Sequence, residues 1–165
     1  MRGRPPSDIL FVDMAIDDKD VLLAGLAPGT QVVRLSGCEQ PLDAIAGHVE
    51  ALGPVRRLSI LAHGRPGGIR LAGRDIDPET LRTHRPLLER VADVLSEGAE
   101  ILLIACSTGG GPKGTAFVTD LSEALRTRVR AAETVIGGRS GWQALPEAAT
   151  LFSAAALNAY PHTLA

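Results

Sequence analysis

The sequence predicts an α/β fold built on a mainly parallel central sheet. Three observations predict it. Short β-rich runs alternate with amphipathic helical stretches, the order expected of βαβ units. The runs Leu58–Ala62 and Glu100–Ala105 are almost wholly apolar, as strands covered on both faces should be. Glycine and proline punctuate nearly every junction, at Pro28-Gly29, Gly53-Pro54 and Gly109–Pro112.

The elements follow in order. Ile9–Asp13 reads as the first strand, and Asp17 or Asp18 caps a helix running to about Leu26. Gln31–Leu35 is the second strand. Pro41 suits the first turn of the next helix, on which Leu42, Ile45, Val49 and Leu52 mark one face. Leu58–Ala62 is the third strand. After His63 and its glycines, Ile69–Leu71, the Gly73 turn and Asp75-Ile76 read as a small hairpin on the rim. Asp77-Pro78 opens a long helical stretch that Pro86 kinks or divides. Glu100–Ala105 is the fourth strand, Gly109–Pro112 an irregular loop, and Thr115–Arg126 an amphipathic helix. Val129–Ile136 reads as a fifth strand and Pro146–Leu157 as a closing helix. One domain over residues 8–157 is expected, with residues 1–7 a flexible start and 158–165 a frayed tail.

Composition narrows the function classes. The 165 residues are 45% hydrophobic and 22% charged, a globular balance, and the net charge of −2 gives no reason to expect nucleic acid or an anionic membrane as partner. Arg56-Arg57 and Arg126, Arg128 and Arg130 alternate with acids elsewhere and read as a solvated face. Aromatic residues, at 3%, are too few for a stacking platform. No apolar run approaches the ~18 residues of a membrane span, and MRGRPPSD lacks a signal-peptide core. A cytoplasmic protein without cofactor is the expectation, and its oligomeric state is left open.

The chemistry concentrates on His63 and Cys106. Each directly follows a buried strand and precedes a glycine-rich loop. In a parallel sheet the strands' C-terminal ends share one edge, where ligands bind, and neighbouring strands lie about 4.8 Å apart. A thiol with an ordinary pKa near ~8.5 gains thiolate character beside an imidazole, which can also protonate a leaving amine. Gly64 leaves the backbone beside the imidazole open, so its N–H can hold a developing oxyanion. The next helical stretch starts well past Cys106, so activation by a helix dipole is not expected. Asp13 ends the first strand at the same edge. It reads either as a substrate pocket for a basic residue or as a cap on the following turn.

The segments LSILAHGRPGG and ILLIACSTGGG resemble the strand–His–Gly and strand–Ala–Cys elements of caspase-like cysteine peptidases. Within that group the chain is most similar to an uncharacterised bacterial domain related to CHAT peptidases, often found at the front of large cell-surface adhesins. DILFVDMAIDD resembles its opening strand, GGIRLAGRDI its hairpin and GPKGTAFVTDLSEAL its helix after the cysteine. The resemblance implies a three-layer sandwich, His63 as acid and base, Cys106 as nucleophile, and an oxyanion hole from the N–H groups of Gly64 and Cys106. It also implies a protein or peptide substrate. Caspases carry a polar residue where this chain has Ile104, which argues against a caspase-type preference for Asp. The implied strand order places Cys38 three strands from Cys106, about 14 Å at sheet spacing. That is beyond disulfide reach, so Cys38 reads as structural.

Two further readings stay open. The chain is either a non-catalytic module that keeps the peptidase fold for binding or assembly, or a nucleotide or phosphate binder at Gly109–Gly114. For the latter, Lys113 precedes Gly114 where a phosphate loop needs its lysine after the last glycine. His48, His84 and His162 have no metal-ligand spacing.

Overall fold

The computed structural model describes residues 5–37 and 40–165, so Cys38 lies outside the described residues. Five parallel strands form the central sheet in the order β2-β1-β3-β7-β8: β1 (Ser7–Asp13), β2 (Thr30–Leu35), β3 (Val55–Leu61), β7 (Leu95–Ile104) and β8 (Arg128–Ala131). Between β3 and β7 lie β4 (His63–Arg65), β5 (Gly68–Leu71) and β6 (Arg74–Ile76), an antiparallel meander. The expected hairpin is β5–β6, and His63 opens the strand that extends it.

Alternation along each strand sorts the core into two layers. Ile9, Phe11, Leu58, Ile60, Ile101 and Leu103 face helices α2 (Pro41–Leu52), α3 (Pro78–Thr83), α4 (Arg85–Val94) and α5 (Gly111–Leu125), which supply Leu42, Ile45, Leu88, Phe117 and Leu121. Leu10, Val12, Leu61, Leu102 and Ile104 face the other way, onto α1 (Lys19–Leu23), α6 (Ala154–Ala159) and the irregular chain between β8 and the C-terminus. The result is a three-layer α/β sandwich. No helix among the described residues is long and apolar enough to cross a membrane.

Several boundaries differ from the sequence reading, each for a physical reason. The stretch after Asp77 divides into α3 and α4 at His84, because Pro86 seats in the first turn of α4, where its missing N–H costs nothing. By the same logic Pro112 sits in the first turn of α5, which begins at Gly111. Residues 107–110 alone therefore separate Cys106 from this helix. The fifth strand stops at Ala131 because the next carbonyls serve the cysteine loop: Ala132 accepts from Gly109 N–H (2.9 Å) and Thr134 from Ser107 N–H (2.9 Å). The closing helix breaks into a 3₁₀ turn (Pro146–Thr150) and α6, at Ser153, whose hydroxyl accepts the Ala156 N–H at 3.2 Å.

The expected frayed tail is a correction. Tyr160 and Leu164 are buried, at 2% and 0% exposure. Tyr160 donates its hydroxyl to the Asp17 carbonyl (3.0 Å), and His162 pairs with Asp18 (2.6 Å). Asp18 is the N-cap position of α1, but its side chain makes no cap bond there. The basic clusters are largely paired, in Arg56–Asp8, Arg57–Glu100, Arg126–Asp93 and Arg130–Glu147.

Candidate functional site

β3 and β7 are neighbours in register, with Leu61 opposite Ile104, and Ala62 N–H continues the ladder to the Ile104 carbonyl at 3.1 Å. His63 and Cys106 follow at matching positions past this pair. Cys106 belongs to the apolar cluster under the C-terminal segment, as Leu102 and Ile104 do, and the alternation Leu61, His63 carries the histidine to the same side. The sequence expectation of two site residues side by side at one sheet edge thus describes where their backbones lie.

Gly64 has a steric role. A Cβ there would lie under 3.0 Å from the Cys106 carbonyl oxygen, Thr108 Oγ1 and Ala105 Cβ. Only glycine lets the chain after the histidine run this close to the cysteine strand. Thr108, fully buried, ties the two loops together. Its hydroxyl donates to the Gly68 carbonyl (3.2 Å), and its carbonyl accepts from Gly67 N–H (3.1 Å). Ser107 holds φ = 57°, a left-handed conformation that a non-glycine residue adopts at a cost of about 1–2 kcal/mol.

The two expected oxyanion donors converge. Gly64 N–H donates to the Leu164 carbonyl at 2.8 Å, and Cys106 N–H donates to the same oxygen at 3.2 Å. The Cys106 sulfur accepts from the N–H groups of Leu164 (3.1 Å) and Ile136 (3.2 Å), and its thiol is aimed at the Ile136 carbonyl (3.3 Å). Its hydrogen bonds therefore run to the Ile136 and Leu164 backbone and not to the imidazole. His63 is half-buried, and its Nδ1 is shut off from water with no hydrogen-bond partner among the described residues. Orphaned buried polar atoms are rare and mark either strain or function.

Asp13 is 2% exposed and its Oδ1 accepts the Ala15 N–H at 3.0 Å. The carboxylate sits in the turn, as the capping alternative expected, and does not face solvent as a substrate pocket would require. In the glycine loop the N–H groups of Gly109, Gly110 and Gly114 are spent on Ala132, Ser107 and Gly110 carbonyls, so they are not free for a phosphate. Beside the loop runs an open groove lined by Pro66, Ser107, Pro112, Lys113, Glu133 and Val135. His48 is exposed, and His84 bonds Gln40 (2.8 Å).

Sequence reasoning missed Ile136, Gly137, Thr108 and Leu164. The signals were slight: a Gly137-Gly138 pair, and the large apolar residues Tyr160 and Leu164 in the last eight residues.

Burial raises the Cys106 thiol above its ordinary value, against the smaller opposing effect of the Ile136 and Leu164 N–H groups, and it pushes Tyr160 up to about 12. Both groups are acids whose charged forms the fold disfavours. Below the ordinary thiol value of about 9 neither contributes to pH dependence. Above it the unfolded chain loses protons first, so stability falls as pH rises towards about 12. Denaturation midpoints measured from about pH 8 to pH 11 should decline, and less steeply in Tyr160→Phe and Cys106→Ala. A flat wild-type profile would contradict this.

A family model described as a domain of unknown function, DUF4347, matches residues 9–164. No curated protein matches. Among solved structures, a small-chain dehydrogenase is similar at 12% identity and TM-score 0.39, over 72% of this chain and 77% of that one. A short chain dehydrogenase family protein from Francisella tularensis is similar at 14% identity and TM-score 0.32, over 71% of this chain and 59% of that one. Likenesses this distant bear on neither the site nor its chemistry.

Proposed function

We propose that this chain, which belongs to the DUF4347 family of domains of unknown function, is a cysteine peptidase of the caspase-like type with His63 and Cys106 as its dyad. The observation that carries the reading is the Leu164 carbonyl, which receives both Gly64 N–H (2.8 Å) and Cys106 N–H (3.2 Å). Two N–H donors aimed at one carbonyl oxygen, beside a thiol, form the arrangement that stabilises a tetrahedral oxyanion, and one such donor is worth about 10²–10³ in rate.

The chemistry runs on a protein or peptide substrate. His63 takes the thiol proton, and the Cys106 sulfur forms a bond to the substrate carbonyl carbon as the C=O electron pair moves onto oxygen. Gly64 and Cys106 N–H hold that oxyanion. The C–N bond then breaks as the imidazolium of His63 gives its proton to the leaving amine, leaving a thioester. Water, deprotonated by His63, attacks the thioester and releases the acid and the free thiol.

A second reading is a non-catalytic module that keeps the fold for binding or assembly. The fully buried Cys106, bonded to backbone and with its thiol pushed up by burial, favours it. Alkylation of Cys106 in the full chain by a peptidyl chloromethyl ketone separates the two. The peptidase reading expects the rate to fall about 10²-fold or more in His63→Ala, the scale of general acid–base assistance. Equal rates in wild type and His63→Ala would leave the binding module as the better account.

A further inference from the structure

The tail that fills the site also reads out what the site accepts. Leu164 is fully buried, whereas Pro161 and Ala165 are exposed and His162 and Thr163 are partly so. Of residues 161–165, the site therefore engulfs one side chain only. That side chain packs in the apolar cluster that contains Ile136, Leu145 and Tyr160. Its backbone is held on both sides: the Leu164 N–H reaches the Ile136 carbonyl at 3.3 Å, and its carbonyl lies on the two oxyanion donors. Thr163, the residue before it, forms an antiparallel bridge with Gly137. This is a single antiparallel bridge flanked by main-chain hydrogen bonds, an arrangement in which main-chain bonds give affinity and one pocket gives selectivity.

Gly137 makes the close approach possible. Its φ is 89°, and a Cβ there would lie 2.6 Å from the His162 carbonyl oxygen. Any other residue would push the peptide backbone off this edge.

Resting on the peptidase reading, we infer that the site takes an extended peptide bearing leucine, or an aliphatic residue of similar size, on the acyl side of the scissile bond. The chain's own Thr163-Leu164 is seated as the end of such a peptide. A carboxylate or ammonium in the Leu164 position would be desolvated against Ile136, Leu145 and Tyr160, none of which carries a charge to pair it, and a buried unpaired ion is strongly disfavoured. Asp13, the carboxylate anticipated at this edge, is engaged by Ala15 N–H and is 2% exposed, so it offers a basic side chain nothing.

Three chloromethyl ketones test this on the full chain: His-Thr-Leu, His-Thr-Asp and His-Thr-Lys, with Cys106 alkylation followed by intact mass. Wild type and full-chain Leu164→Gly are both used, the latter because its tail no longer fills the pocket. The leucine probe should react about 100-fold faster than the Asp and Lys probes in each, given the unpaired charge those would bury. Similar rates for the three probes, or a faster Asp or Lys probe, overturn the leucine pocket and leave the dyad standing. If none of them modifies Cys106 in Leu164→Gly while iodoacetamide does, the peptidase reading itself fails.

Discussion

Gly64→Ala is expected to melt about 2–12 °C below wild type and to lose alkylation of Cys106 by peptidyl probes about 100-fold or more. The added methyl group would lie under 3.0 Å from the Cys106 carbonyl oxygen, Thr108 Oγ1 and Ala105 Cβ. None of these can step aside. The first is backbone, the second is a buried hydroxyl bonded to Gly68, and the third is a fully buried residue directly after β7. Forcing a methyl group into a filled core costs about 1–3 kcal/mol, and a chain of this size loses about 2–4 °C per kcal/mol. Relief of the clash moves the Gly64 N–H away from the oxygen it shares with Cys106 N–H, hence the loss of rate. Gly47→Ala is the control. Gly47 lies within helix α2 with nothing within 4 Å of the built Cβ, and the change should raise stability by about 0.5–1 kcal/mol. Differential scanning calorimetry and probe kinetics on the two variants decide it. Matched melting temperatures would show that β4 is not tightly held against the cysteine strand.

Leu164→Gly in the full chain is expected to raise the rate of Cys106 alkylation by iodoacetamide at least about tenfold at neutral pH, by exposing the sulfur and restoring its thiolate fraction. The sulfur is fully buried, and burial is the main cause of its raised pKa. Leu164 supplies part of that cover and one of the N–H groups bonded to the sulfur, at 3.1 Å. Without the leucine side chain the tail loses its single buried anchor past Tyr160, worth about 2–5 kcal/mol by the usual cost of emptying a leucine site. The tail then frays and water reaches Cys106. The pH–rate profile should shift to lower pH as the thiol returns towards its ordinary value. An unchanged rate and profile would mean that Ile136, and not the tail, closes the site.

The two variants probe different sources of the site, and those sources differ in how far they could be read from the chain. The strand ends at His63 and Cys106 were legible because they rest on local patterns. Apolar runs of strand length stop at polar or glycine residues, and alternation decides which side chains share a face. The division of the helical stretch at Pro86 was legible for the same reason, since proline acts on its own turn. The boundary errors arose where two local signals competed. Glycine and proline at 109–112 read as a loop, yet Pro112 is equally suited to a first helical turn, and α5 begins at Gly111.

The amino-acid order by itself therefore determined the α/β class and the strand that ends before each site residue. Tertiary structure alone decided what covers the sulfur. Leu164 and Cys106 are 58 residues apart, and no periodicity in the last eight residues points one at the other. Their contact exists because the chain past β8 has to bury Leu145, Leu151, Phe152, Leu157 and Tyr160 on the second face of the sheet. That burial delivers the following residues to the sheet edge, where a carbonyl finds two waiting N–H donors.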